Sequence, residues 1–310
     1  MNHLRRILVT GATGFIGRAV CLQMQGRYEV VALARPASPR LDSFRALTGI
    51  EPVCADLADI RAVVACIGHI DAVIHLAWSG LNKEAQASAA IQQADFAKSL
   101  KLVEAVAAAG CTLFIAGGSQ AEFGPVDGVI TEETPCHPVT EYGKAKLRFA
   151  REGRELGYRA GMRWRVARIF SVYGPHDHPW TMLSALLRAL DRKQAMPLTE
   201  CCHLWNFLFI EDAARALVAL LDTVCEDGIY NVASETTTQL RDFVLQACAL
   251  FPGSPPPRFG NLPYGLGGPL SLQPSVQKLM RNTGWVEQVS FAEGLRQTWA
   301  SINHRPINTL

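Results

Sequence analysis

The sequence has no apolar run approaching the roughly twenty residues that a bilayer-spanning helix needs. It has no excess of charge of one sign either. Its 30 Lys and Arg stand against 28 Asp and Glu, a formal net charge of +2. No strong field therefore points toward nucleic acid or an anionic membrane. There is no Cys-x-x-Cys pair. Nine dispersed cysteines, an odd number, suit reduced and mostly buried thiols and predict a cytoplasmic protein, not a disulfide framework. Cys201-Cys202 beside His203 is the only close pair, and three adjacent residues rarely converge on one ion, so no metal is expected. Arg5-Arg6 leads into a short apolar stretch and then glycines, too brief for the core of a signal peptide. No internal repeat or long low-complexity tract is visible. What is present is a chain of 310 residues with 49% hydrophobic content, enough to bury a large core in one domain or two.

The strongest local signal comes first. Ile7-Leu8-Val9-Thr10 reads as a buried strand, and it runs into Gly11-Ala12-Thr13-Gly14-Phe15-Ile16-Gly17. Ala19, Val20, Leu22 and Met24 then continue as a helix with one apolar face. Strand, glycine turn and helix in that order suit a dinucleotide pyrophosphate. Gly11 permits a tight turn, Gly14 a close backbone approach to phosphate, and Gly17 close helix–strand packing. The glycines are spaced three and three, where the common fingerprint has two and three.

Further strands are expected at Tyr28–Ala34, at Glu51–Cys54 with Asp56-Leu57 as its exit, at Asp71–Ala77 and at Thr112–Ala116. The second ends in Ala34-Arg35, where an NAD site usually carries a carboxylate for the adenosine ribose. A guanidinium there suits a 2′-phosphate, so NADP(H) is the expected cofactor and NAD(H) the second choice. His75, inside an apolar strand, reads as a core histidine. Glu84 to Ala109 reads as one long helix closed by Gly110. Strands alternating with helices predict an α/β fold with a doubly wound parallel sheet.

Glu141 onward is helical by composition, after an extended Pro135–Pro138 lead-in. Tyr142 and Lys146 are four apart and share one helix face. A free phenol has a pKa near ~10, so it is a poor acid or base at neutral pH. A neighbouring ammonium is expected to lower it, so that the phenol exchanges a proton with a substrate oxygen while hydride moves at nicotinamide. Ser119, at the end of the fifth strand, is expected to hold the same oxygen.

These features resemble the extended short-chain dehydrogenase/reductase family, in its nucleotide-sugar-modifying epimerase/dehydratase branch. Besides the glycine turn, the likeness runs through Asp56-Leu57, His75-Leu76-Ala77, Ser119 to Gly124, and Tyr142 with Lys146. It continues through Ala167 to Pro175, Phe207 to Asp212, Tyr230 to Ala233, Gly284-Trp285 and Phe291 to Trp299. The resemblance implies Ser119, Tyr142 and Lys146 as catalytic residues, with Lys146 bridging the nicotinamide ribose. It implies a cofactor site of Gly11, Thr13, Gly14, Phe15, Ile16, Gly17, Arg35, Asp56, Leu57, Leu76, Ala77, Tyr142 and Lys146. The implied fold is a Rossmann-type domain, 1–170 with 203–232, and a smaller discontinuous substrate-binding domain, 171–202 with 233–310. A nucleotide-sugar substrate, a place in polysaccharide biosynthesis and a homodimer through two helices per subunit are implied as well, the helices being the one ending near Ala109 and the one carrying Tyr142.

The departures sharpen the reading. Dehydratase members carry an Asp-Glu pair where this chain has Gln120 and Ala121, and the fucose-synthase-like epimerase-reductases carry Cys at Ala121. Their histidine partner is matched by His176. Glu122 is unusual and reads as a surface or loop-capping residue. Ser171 stands for the usual Asn, and Trp205-Asn206 for an Arg-Asp that contacts the diphosphate, so Arg258 and Arg281 are the candidates to supply that charge. Trp78, Gln120, Ser171, His176, Trp205, Arg258 and Arg281 form the expected substrate set. Pro252 to Pro269 reads as an irregular substrate loop. His75-Leu76-Ala77-Trp78 and Gly118 to Gly124 look like the 4-keto-reductase subgroup. The expected reaction is NADPH-dependent reduction of a 4-keto(-6-deoxy) nucleoside-diphosphate sugar. A C4 epimerase holding NAD is the alternative, and a non-catalytic cofactor-sensing regulator is a third.

Overall fold

A computed structural model describes residues 4–38, 40–45, 47–264 and 270–303. The last residues of the expected substrate loop, 265–269, and of the expected substrate domain, 304–310, lie outside the described residues.

The chain opens as β1 (Arg6–Thr10), α1 (Phe15–Met24), β2 (Glu29–Ala34), α2 (Leu41–Arg45), β3 (Ile50–Cys54) and α3 (Ile60–Ile67). It continues as β4 (Ala72–His75), α4 (Lys83–Ala87), α5 (Ala89–Ala108), β5 (Leu113–Ser119), α6 (Glu141–Arg159) and β6 (Arg163–Ile169). Then come β7 (Val172–Tyr173), α7 (Met182–Asp191), β8 (Leu204–Asn206), β9 (Leu208–Phe209), α8 (Ile210–Asp222) and β10 (Gly228–Val232). The chain closes with β11 (Thr237–Gln239), α9 (Leu240–Ala249), α10 (Gln277–Thr283) and α11 (Phe291–Asn303).

Seven strands form one parallel sheet in the order β10-β6-β5-β4-β1-β2-β3. The strands are apolar because both faces are covered. Alternate residues face opposite ways, so Ile7 and Val9 join α1 and α8 on one side, while Leu8 joins α3, α5 and α6 on the other. A third core gathers Tyr173, Leu186, Phe243 and Trp299 around α7, α9 and α11, outside the large sheet. The chain winds outward from β1 to β3 and then, from β4, in the opposite direction. That reversal leaves a crevice at the C-terminal ends of β1 and β4, the usual place for a ligand in such sheets.

One element differs from the sequence expectation. The single helix expected over 84–109 is broken at Ser88, whose ψ of 107 is extended and whose side chain caps α5 through the Ile91 N–H. A serine hydroxyl competes with the helical ladder and begins a new helix at an N-cap. The fifth strand ends at Ser119, as expected. Gly117 and Gly118 allow this, since a Cβ on Gly117 would sit 2.9 Å from His75 O and one on Gly118 2.7 Å from Glu122 Oε1. Beyond the single bridge of Arg258 to Pro197, residues 252–264 hold no regular strand or helix. Among the described residues no helix is long and apolar enough to cross a membrane, and no three His, Cys, Asp or Glu gather to hold a metal.

Candidate active site

A cavity of about 800 Å³ occupies the crevice at the strand ends. One wall is the turn from Gly11 to Gly17. Gly11 has φ +69, and a Cβ there would lie 2.8 Å from Ala77 N. A Cβ on Gly14 would come within 3.0 Å of Gly11 O, and one on Gly17 would strike the same carbonyl. The turn therefore has no room for a side chain at Gly11 or Gly17 and crowds one at Gly14. Gly14 caps α1 without a side-chain hydrogen bond, which leaves first-turn N–H groups free for an anion. A dinucleotide fits this cradle. Thr13, Phe15 and Ile16 complete the wall.

One end of the cavity is lined by Arg35, Asp56 and Leu57. Arg35 is exposed at the end of β2. Asp56 accepts the Ala58 N–H at 2.8 Å, the main reason its carboxyl lies below the usual range, and Lys98 on α5 pairs with it at 3.1 Å. The sequence reading missed Lys98. Its signal was a lysine on the helix face that also carries Asp95, three residues earlier. Asp95 is buried and takes the Ser79 N–H and hydroxyl. Ser38 donates to Thr13 Oγ1 at 2.8 Å, and Arg40 reaches Thr13 O and His176 O at 3.3 Å each.

At the far end, Leu76, Ala77 and Trp78 leave β4, Ser119 ends β5, and Tyr142 with Lys146 projects from α6. Thr140 caps α6 through the Gly143 N–H and sets where its first turn begins. The sequence reading expected Lys146 to lower the Tyr142 pKa. The structure corrects this. Burial pushes the phenol up to about 12, with Ser119 pulling it the other way. The Lys146 ammonium instead donates to Gly117 O at 2.6 Å and lies 5.9 Å from the phenol ring centre. Burial draws Lys146 itself down to about 8, against the favourable charges of Glu122 and Asp95. The phenol thus keeps its proton at neutral pH and is poised to donate it. His75 is a buried core histidine, held between Thr10 Oγ1 and Ser99 Oγ and pushed down to about 3 by burial.

Glu122 is not a surface residue. It is wholly buried behind Ser119, with which it forms a reciprocal capping box. Its Oε1 accepts the Ser119 N–H at 2.8 Å, and its Oε2 takes Arg168 Nε at 2.9 Å.

The expected substrate residues scatter. Of the seven, only Trp78 lines the cavity. Gln120 and Ser171 face each other at 3.5 Å, next to the lining residues Ser119 and Phe170. His176 has φ 70 and offers its carbonyl to Arg40. Trp205 packs among His203 and Phe207, away from the lining. Arg258 is tied by its backbone to Met196 and Leu198. Arg281 sits on α10, against the edge strand β10, and donates to Gln277 O. Neither arginine faces the cavity, because the loop and helix that carry them pack elsewhere. The structure places His178 and Trp180 there instead, stacked at 4.3 Å between ring centres, with Trp180 63% exposed.

A family model described as the NAD dependent epimerase/dehydratase family matches residues 7–233. The dTDP-6-deoxy-L-talose 4-dehydrogenase (NAD(P)(+)) of Kitasatospora kifunensis is 28% identical, covering 97% of each chain. The dTDP-glucose 4,6-dehydratase of Neisseria meningitidis serogroup B is 24% identical, over 95% of this chain and 92% of that one. Among solved structures, a UDP-N-acetylglucosamine 4-epimerase from Methanobrevibacter ruminantium M1 superposes with a TM-score of 0.88 at 17% identity, covering 98% and 99% of the two chains. A UDP-glucuronic acid 4-epimerase from Bacillus cereus, in complex with NAD, gives 0.82 at 22%, covering 96% and 99%. At such identities the solved structures speak for the fold alone.

Proposed function

The chain belongs to the NAD dependent epimerase/dehydratase family, and from that premise we propose that it reduces a 4-keto(-6-deoxy) nucleoside-diphosphate sugar with NADPH. The observation that carries this reading is a half-buried, protonated phenol with no free acid or base at the three positions that follow Ser119. Tyr142 holds its proton at neutral pH, Gln120 and Ala121 carry no titratable group, and Glu122 is spent on Arg168 and Ser119. A site so equipped can protonate one oxygen. It lacks the pair needed to eliminate water from the neighbouring carbons. The relative that matches over 97% of both chains is a 4-dehydrogenase of a 6-deoxy sugar nucleotide, which supports a reaction at the same carbon.

In this assignment Gly11 to Gly17 hold the pyrophosphate, Arg35 the 2′-phosphate, and Asp56 and Leu57 the adenosine. Bound NADPH supplies hydride. Tyr142 gives the proton to the nascent alkoxide, Ser119 holds that oxygen, and the Lys146 ammonium stabilises the phenolate left behind. The segments 171–202 and 233–310 are assigned to the sugar nucleotide, and the outer faces of α5 and α6 to a homodimer contact.

Mixing the protein with NADPH and a 4-keto-6-deoxy nucleoside-diphosphate sugar should consume one NADPH for each product formed, and the purified protein should carry little bound NAD. Interconversion of two C4 epimers with no added cofactor and no net change in nicotinamide absorbance would replace this reading with the epimerase. The cofactor choice has its own check. One charge-assisted pair is worth about 1.5–3 kcal/mol, so NADPH should bind roughly ten- to a hundredfold more tightly than NADH. Arg35→Ala should erase most of that difference, and equal dissociation constants in the wild type would refute the assignment.

A further inference from the structure

The ammonium of Lys146 is buried, and a lysine has three donors to satisfy. Gly117 O is its one hydrogen-bond acceptor among the described residues. Its other close neighbour is an aromatic face. Trp78 leaves β4 and folds back toward α6, only 8% exposed, with its ring centre 4.1 Å from Lys146 Nζ. The same indole meets the Tyr142 ring at 80° and 6.3 Å. Its orientation is fixed from behind. The indole N–H donates to Gln92 Oε1 at 2.8 Å, and the Gln92 amide, itself 1% exposed, donates to Gly80 O and Ala85 O. The Gln92 nitrogen is thereby committed to two carbonyls, which turns its oxygen to the indole.

We propose that Trp78 is a positioning residue for Lys146: its indole face, held by Gln92, seats the ammonium beside Tyr142. The proposal rests on the catalytic assignment above only for its kinetic consequence. A cation over a desolvated indole is attracted by the negative ring face, and tryptophan does this better than phenylalanine. The other groups that act on the ammonium are known. Glu122 behind β5 and Asp95 on α5 favour the charge, while burial disfavours it. Tyr142 is protonated, His75 on β4 is neutral, and Lys98 is turned to Asp56. With burial and these charges holding Lys146 near 8, the indole decides how much of it is charged at working pH.

The sign follows directly. Trp78 favours the charged form, so removing it lets Lys146 lose its proton at lower pH. In protein labelled with ¹³Cε-lysine, which has only seven lysines, the Lys146 resonance is identified by its loss in Lys146→Met. In Trp78→Leu it should titrate about one pH unit lower than in the wild type, a tenfold change in acid constant. Trp78→Phe keeps a ring and the packing, and should fall between the two. Measured against its own rate at pH 6, Trp78→Leu should lose about fivefold more turnover by pH 8 than the wild type does. If both Trp78 variants titrate Lys146 at the wild-type pH, the proposal is overturned, and Trp78→Phe decides alone should the leucine variant fail to fold. A normal rate in Tyr142→Phe would sink the catalytic assignment and leave the titration result standing.

Discussion

Tyr142→Phe is expected to lower turnover by roughly a hundredfold or more while leaving dinucleotide affinity almost unchanged. Tyr142 is half-buried on α6, and the substitution keeps the ring, its contact with Trp78 and the helix, and removes only the hydroxyl. Ser119 Oγ already accepts the Ala121 N–H at 3.2 Å, so losing the tyrosine does not strand it. Steady-state kinetics on the 4-keto substrate, with NADPH binding followed by fluorescence, make the check. A rate within a fewfold of wild type would mean that another group delivers the proton. Because burial raises the phenol pKa, the wild-type rate should not fall through loss of the phenolic proton below about pH 8. A decline there belongs to Lys146, whose lowered pKa puts its loss of charge near that pH.

The second large effect is on stability. Glu122 and Arg168 form a wholly buried pair at 2.9 Å. Arg168 also contacts Cys136 Sγ at 3.1 Å and lies over the Phe123 ring at 4.5 Å. Glu122→Gln keeps the shape and removes the charge, leaving an uncompensated guanidinium in the interior. Breaking one side of such a pair costs about 3–5 kcal/mol, whereas replacing both sides with apolar residues is often neutral. Urea unfolding should therefore show a loss of that size for Glu122→Gln and recovery of most of it in Glu122→Leu combined with Arg168→Met. Activity should be lost in the double variant, since leucine, unlike glutamine, offers the Ser119 N–H no acceptor. A Glu122→Gln protein as stable as wild type would show that the pair is not what holds this corner.

Much of the molecule was legible in the chain. Strand residues such as Ile7–Val9 and Ala72–Ile74 are apolar throughout because a parallel sheet is covered on both faces. Alternation of such strands with helices admits few topologies once right-handed crossovers are required. The glycine turn is readable because only a residue without Cβ fits at Gly11 and Gly17, and a Cβ at Gly14 is crowded. Tyr142 and Lys146 share a helix face because the helix repeat is a local property of the chain.

Relations between distant segments were decided only by the tertiary structure. Lys98 meets Asp56 from 42 residues away, and Arg168 meets Glu122 from 46. No periodicity encodes such pairings, which depend on which strands become neighbours. The spacing of Tyr142 and Lys146 brought them together but did not say where the ammonium would turn. Gly117 O and the Trp78 face take it, and burial then sets the phenol's pKa upward, against the sequence expectation. The direction of a pKa shift depends on solvent exclusion summed over every packed neighbour, a quantity that exists only once the chain has folded.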